Sequence, residues 1–311
     1  MIDIVVPFYN DSDDKWRNIM YDYMAKEGSK DRQVIGEERY RDWENFKYFF
    51  RGIENNCKWV NKVFLIVASA TQIPDWINTE SSKLRIVYHK EFIPKELLPT
   101  FNPMTIGMYI PNIKDLSNNY VICDDDYFFL NPTSEGMFFV DNYPVYRDNG
   151  ETIVKFGAYW LEGSDGTFYE VLNNGMDFQL KLAKDKAKWY SIEHLPVSHK
   201  KDFEEKILKE NYEYILNKNK ISRFRNKENL CNHVYNCLYR DINGFYYKFN
   251  NYYNSCYITV RKDINFDEFK NKQMVCFNDT EQLSKEDFIE VKKRMIKFFE
   301  NKFPNKSIFE R

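Results

Sequence analysis

Three consecutive carboxylates, Asp124, Asp125 and Asp126, follow the apolar run Tyr120 to Cys123 and give way to Tyr127, Phe128 and Phe129. Like charges in a row repel and resist burial, so a folded chain keeps them where water or a cation answers the charge. Aspartates at the end of a strand offer hard oxygen ligands, suited to a Mg2+ or Mn2+ ion that bridges the phosphates of a nucleotide. The bland reading is a solvated turn between two strands. The apolar flanks argue against free exposure and tilt the triplet toward metal or substrate binding.

Other residue types could supply the rest of such a reaction. The stretch HLPVSHKKDF carries His194 and His199, two of only four histidines. A well-placed neutral imidazole takes a proton from an attacking hydroxyl and contributes roughly 10²–10⁴ in rate. A lone histidine is more often a cap or a surface residue, and His89 and His233 are left to that reading. Arg39, Arg41, Lys47 and Arg51 surround one helix, and Arg223 and Arg225 precede another. Arginine offers a planar donor fork for phosphate, although each taken singly is more often a solvated charge. Neither a Gly-x-x-x-x-Gly-Lys loop nor a dinucleotide fingerprint follows any strand-like run, which removes support for ATPase and dehydrogenase readings.

These groups need elements to position them. IDIVVPF, NKVFLIVAS, LRIVYH and NYVICD are continuous apolar runs of the kind that form buried parallel strands. Between the first two, Trp43, Phe46, Phe50 and Ile53 fall at helical spacing, with Arg39, Lys47 and Arg51 off that face. The expected fold is α/β: a nucleotide-sugar-transferase-like, Rossmann-like mixed sheet flanked by helices, with a helical insertion in the second half. In such folds ligands bind beyond the carboxyl ends of the strands, so YNDSDD, SATQIPDW and DDDYFF are the loops to watch. Residues 1–140 and 271–311 are expected to form the catalytic core. Residues 141–270 would form a β-hairpin turning at Asn149 and Gly150 plus a helical donor or acceptor lid, or the whole chain one continuous domain. Helices are expected over 167–186, 199–218 and 226–240, strands at GFYYKF, CYITV and KQMVCFND, and a last helix from Ser284, capped by the Asp287 arrangement. Its apolar face (Phe288, Val291, Met295, Phe299) suits core packing better than a membrane surface.

Composition sets outer bounds. The 311 residues, 18% of them aromatic, allow a large core, and a net charge of −2 argues against a nucleic-acid partner bound by phosphate neutralisation. The opening MIDIVVPFYN has no basic n-region, so a cytoplasmic location is expected, with any membrane contact peripheral. Six scattered cysteines without a C-x-x-C pair read as reduced thiols rather than a structural zinc site.

Four blocks, in order, resemble the Stealth family of sugar-1-phosphate transferases, which includes bacterial capsular polysaccharide phosphotransferases. They are DIVVPFYNDSDDKW (Asp3 to Trp16); the long block from Arg39 to Pro132, with RYRDWENFKYFFRGIENN, QIPDWIN, LPTFN and the triplet; HLPVSHKKDF with FRNKEN; and CFND (Cys276 to Asp279). The resemblance implies an enzyme that moves a hexose- or N-acetylhexosamine-1-phosphate from a UDP-sugar donor to a hydroxyl of a glycan, free or lipid-linked, and releases UMP. It matches Asp125 and Asp126 to the family's acidic pair, with Asp124 as a third candidate metal ligand where asparagine is usual. His194 and Arg225 match the essential histidine and arginine. Arg39, Asp42, Arg51, Asp13, Asn278 and Asp279 fall on motif positions expected to touch substrate. The sequence departs from the family at Pro7 to Tyr9, at Asp11 in place of glycine, and at Gly107, where a glutamate is usual. Two alternatives stay open: a metal-dependent glycosyltransferase releasing UDP, and a non-catalytic calcium or carbohydrate binder.

Overall fold

The strand and helix alternation of the first half is present in the computed structural model of the chain. It describes residues 1–28, 36, 38, 40–146, 148–152, 167–192, 194–244, 246–248, 254–280 and 282–311. The central sheet contains β1 (Ile2–Pro7), β2 (Val60–Val67), β3 (Leu84–Tyr88) and β4 (Asn119–Ile122), all parallel. A fifth strand, β10 (Val197–Lys200), runs antiparallel beside β4, giving the spatial order β10-β4-β1-β2-β3. Both faces are covered, which is why the strands are apolar throughout rather than alternating. Ile4 and Val6 point into a core shared with α2 (Phe46–Asn56) and the last helix, while Val5 points into a second core with the helices of the second half.

The first helix, α1 (Asp14–Glu27), starts on Asp13, whose side chain accepts the Trp16 amide. Helix α2 carries Phe46, Phe49, Phe50 and Ile53 into the first core, each 6% exposed or less. It lies close against β5 (Tyr127–Phe129): a Cβ on Gly52 would stand 2.8 Å from the Phe129 carbonyl oxygen, so only glycine permits this approach. Strand β5 belongs to a second, three-stranded sheet with β12 (Ser255–Thr259) and β13 (Met274–Asn278). The aspartate triplet therefore lies where the chain leaves the large sheet and enters the small one.

Further on come β8 (Asp148–Thr152), α3 (Thr167–Ala183), β9 (Trp189–Ile192), α4 (Lys201–Glu210), α5 (Tyr212–Asn219) and α6 (His233–Asn243). The expected hairpin is corrected. Asn149 and Gly150 lie inside β8, which pairs antiparallel with β9 rather than turning back on itself, and residues 153–166 lie outside the described residues. The expected helix over 199–218 splits at Asn211 and loses His199 to β10; the one over 226–240 begins at His233, and among the described residues of GFYYKF the strand is Tyr247–Lys248. Residues 141–270 also feed the core, since β10 completes the main sheet and β12 pairs with β13. Helix α7 (Lys285–Lys302) begins as expected, with Ser284 Oγ accepting the Asp287 amide at 3.1 Å. Val291, Met295 and Phe299 are fully buried, so its apolar face packs inward.

Candidate active site

Parallel strands β1, β2 and β4 all end on one edge, and their following loops meet there. The first two are tied together: Gln72 accepts the Asn10 amide at 2.8 Å and donates to the Asn10 carbonyl and to Asp13. At the end of β4, the Cys123 amide donates to the Val5 carbonyl, and the chain turns through the triplet with Tyr127 N–H on the Asp124 carbonyl. On the far side, the Phe277 amide donates to the Asp126 carbonyl at 3.0 Å and the Cys276 thiol donates to Asp126 Oδ2 at 3.2 Å. Strand β13 thus fixes Asp126 by backbone and by side chain.

The triplet is half-buried and electrostatically loaded. Burial first, then the Asp124 charge and more weakly that of Asp42, pushes Asp125 up to about 7. Burial and the two neighbouring aspartates push Asp126 well above the usual carboxylate range. Asp42 also raises Asp11, after burial. Five carboxylates from three segments therefore share one field. The Asp126 Oδ1 atom is buried without a hydrogen-bond partner. An orphaned carboxylate oxygen amid like charges is costly unless a cation answers it, so the donor set fits a hard divalent ion.

His194 reaches this group from the segment before β10. Its Nε2 stands 3.7 Å from Asp124 Oδ2, and its side chain is 50% exposed. The ring is held edge-to-face against Tyr127 and Tyr257, with centroids 5.3 and 5.4 Å away. Atoms of Asp126, His194 and Cys276 all lie within 4.8 Å of one another. Of the residues matched to motifs, the structure thus gathers Asp42, Asp124, Asp125, Asp126 and His194, and Asn278 closes the adjacent strand. Cys276, Tyr127, Tyr257 and Asp11 join them without having been singled out for the site. Cys276 had one signal: it opens the CFND block.

Several of the other residues expected to touch substrate, Arg51, Asp279 and Asp13, are spent on internal contacts. Arg51 donates from Nε and Nη2 to Glu310 at 2.8 and 2.7 Å and from Nη1 to the Phe303 carbonyl at 2.8 Å, at 8% exposure. The reason is helical phase: position 51 faces the C-terminal segment, whose Glu310 compensates the charge. Asp279 takes Arg41 bidentately at 2.8 and 2.9 Å and the Trp43 indole at 3.0 Å, anchoring the segment that carries Asp42. Asp13 is a helix cap: burial alone would raise it, but bonds from Thr71, Gln72 and the Trp16 amide hold it low. His199 is buried in β10 with Nδ1 2.8 Å from Glu204, which also accepts from the Tyr120 hydroxyl. Arg225 lies over the Phe168 ring, 5.6 Å from its centroid, on a segment pinned to the 100–102 loop through the Arg223 and Phe224 carbonyls. Arg39 lies outside the described residues.

Residues 39–146 match the description Stealth protein CR2, conserved region 2. Over its full length the chain is 31% identical to a capsular polysaccharide phosphotransferase WcwK of Streptococcus pneumoniae, with 98% of that protein covered. The chain belongs to the Stealth family of phosphotransferases. An exopolysaccharide phosphotransferase cps2G of Lactiplantibacillus plantarum is 26% identical across the whole chain and 96% of its own length. A receptor polysaccharide phosphotransferase WefC of Streptococcus oralis is 33% identical over 58% of the chain and 57% of its own length. In this Stealth phosphotransferase the matched region runs from the Asp42 segment through β7 (Tyr143–Tyr146) and contains the triplet; His194 and Cys276 come from beyond it.

Proposed function

We propose that the enzyme transfers a hexose- or N-acetylhexosamine-1-phosphate from a UDP-sugar to a hydroxyl of a glycan, free or lipid-linked, releasing UMP and leaving a phosphodiester. The observation that carries this reading is the half-exposed His194 imidazole beside three partly buried carboxylates at the carboxyl end of β4. The names of the relatives support a cell-surface polysaccharide as the product. The reading includes a cytoplasmic location with peripheral contact at the membrane's inner face; no helix among the described residues is long and apolar enough to cross a membrane.

In this reaction the acceptor oxygen forms a bond to the β-phosphorus in line with the bridging oxygen, which leaves with UMP. Such transfers are catalysed chiefly by positioning and by compensating charge on the phosphoryl oxygens. A Mg2+ or Mn2+ ion held by Asp125 and Asp126, with Asp124 beside them, would neutralise the diphosphate. His194 acts as general base. With Nε2–H directed toward Asp124, Nδ1 takes the acceptor proton, and the Asp124 carboxylate stabilises the imidazolium that results. Tyr127 and Tyr257 keep the ring edge-on and limit its rotation. Arg225 supplies the donor fork for the phosphate oxygens.

The test is a product assay with UDP-sugar and acceptor glycan. UMP is expected, and His194→Ala should lower kcat by about 10²–10⁴ while leaving donor binding near normal. UDP as product would mean attack at the anomeric carbon and an ordinary glycosyltransferase. Sugar binding without turnover in the presence of Mg2+ and Mn2+ would support the non-catalytic alternative.

A further inference from the structure

Among the described residues, one group combines a carboxylate, an imidazole and a thiol at ligand distances: Asp126, His194 and Cys276. The three atoms come from three separate segments, the turn into β5, the link before β10 and the middle of β13, and their chemistry is not that of a Mg2+ site, which is all oxygen. Tetrahedral zinc with Zn–S near 2.3 Å and Zn–O near 2.0 Å separates the two ligand atoms by roughly 3.5 Å. The Cys276 sulfur lies 3.2 Å from Asp126 Oδ2, within a few tenths of an ångström of that edge. His194 is half-exposed and can close the remaining gap, while Asp126 Oδ1 stays free of protein partners. The other close histidine–cysteine contact, His233 Nε2 to Cys237 Sγ at 3.5 Å, is not part of any such three-ligand group among the described residues.

We propose that Asp126, His194 and Cys276 form a thiolate-containing binding site for Zn2+, and that zinc held there shuts the enzyme off. Binding replaces the thiol proton with the metal and releases that proton to solvent. The imidazole nitrogen donates its lone pair to the ion, and Asp126 is withdrawn from the hard cation that assists transfer. The inhibitory half of the proposal rests on His194 being the general base; the binding half does not.

The test reads the metal itself. Reduced, metal-free protein is titrated with Co2+, then with Zn2+, and followed by absorption. A near-ultraviolet thiolate-to-cobalt band and intense tetrahedral visible bands should appear and be displaced by one equivalent of Zn2+. Cys276→Ser should abolish the near-ultraviolet band and weaken Zn2+ by at least about 100-fold in chelator competition. His194→Ala, at a half-exposed side chain, should weaken Zn2+ comparably while keeping the thiolate band. Cys256→Ser and Cys237→Ser should change neither. Absence of the band in wild type, or its survival in Cys276→Ser, overturns the site even if UMP is released. Zinc binding by these residues in a protein whose turnover zinc leaves untouched overturns the inhibition.

Discussion

Replacing Arg51 by Met separates a substrate ligand from a structural clamp. The guanidinium makes three hydrogen bonds of 2.7–2.8 Å, two of them to Glu310. Its partner's side chain is only 3% exposed and otherwise accepts from Ser307. Arg51→Met strands a buried carboxylate, which costs about 3–5 kcal/mol. For 311 residues, an unfolding entropy near 2.1 cal/mol/K per residue gives about 0.65 kcal/mol per degree. The melting temperature should therefore fall by about 5–8 °C. The double variant Arg51→Met/Glu310→Leu removes both charges together and should recover most of the loss, giving a coupling energy of about 2 kcal/mol or more. The assay is a thermal melt of wild type, both single variants and the double variant, with steady-state kinetics on the folded protein well below the transition. KM for the proposed UDP-sugar donor should stay near the wild-type value in every variant. A melt within about 1 °C of wild type together with a KM raised roughly tenfold would refute the clamp and return Arg51 to the substrate.

Two further outcomes follow from packing and burial. His89 is buried, its Nδ1 has no partner, and burial lowers it from 6.5 to about 4. A base depressed on folding contributes stability that is fully present above 6.5 and lost as pH falls toward 4, about 3 kcal/mol in all; His89→Leu should flatten the urea-midpoint profile over that window. Gly52→Ala should destabilise by about 1–3 kcal/mol, read as a lower urea midpoint, because the new methyl meets the Phe129 carbonyl oxygen at 2.8 Å and neither backbone can retreat cheaply.

The apolar runs ending in Pro7, Val67, Tyr88 and Cys123 were readable as parallel strands because a sheet covered on both faces leaves little room for polar positions. The triplet was readable for the complementary reason, since charges at the end of such a run need a partner. Long-range pairing was not readable. Nothing local in DNGET distinguishes a strand paired with WYSI, beyond helix α3 in the chain, from a hairpin turn, because Asn-Gly is the strongest turn signal available. The Arg51 guanidinium and the Asp279 carboxylate look the same in sequence whether they meet a ligand or another side chain; only the three-dimensional partners, Glu310 and Arg41, decide. Cys276 was hidden because a buried thiol is ordinarily a small hydrophobe, and its relation to Asp126 spans 150 positions.

The pairing of β13 with β5 also has a consequence for biosynthesis. Asp126 is complete only when Cys276 and Phe277 bind it, so a nascent chain carries an exposed, mutually repelling acidic segment while the next 150 residues are being made. Under the proposed metal binding, ion capture and the last stage of folding would be one event, late in translation. The proposed divalent ion would then act on this chain as a folding ligand before it ever acts on a phosphate.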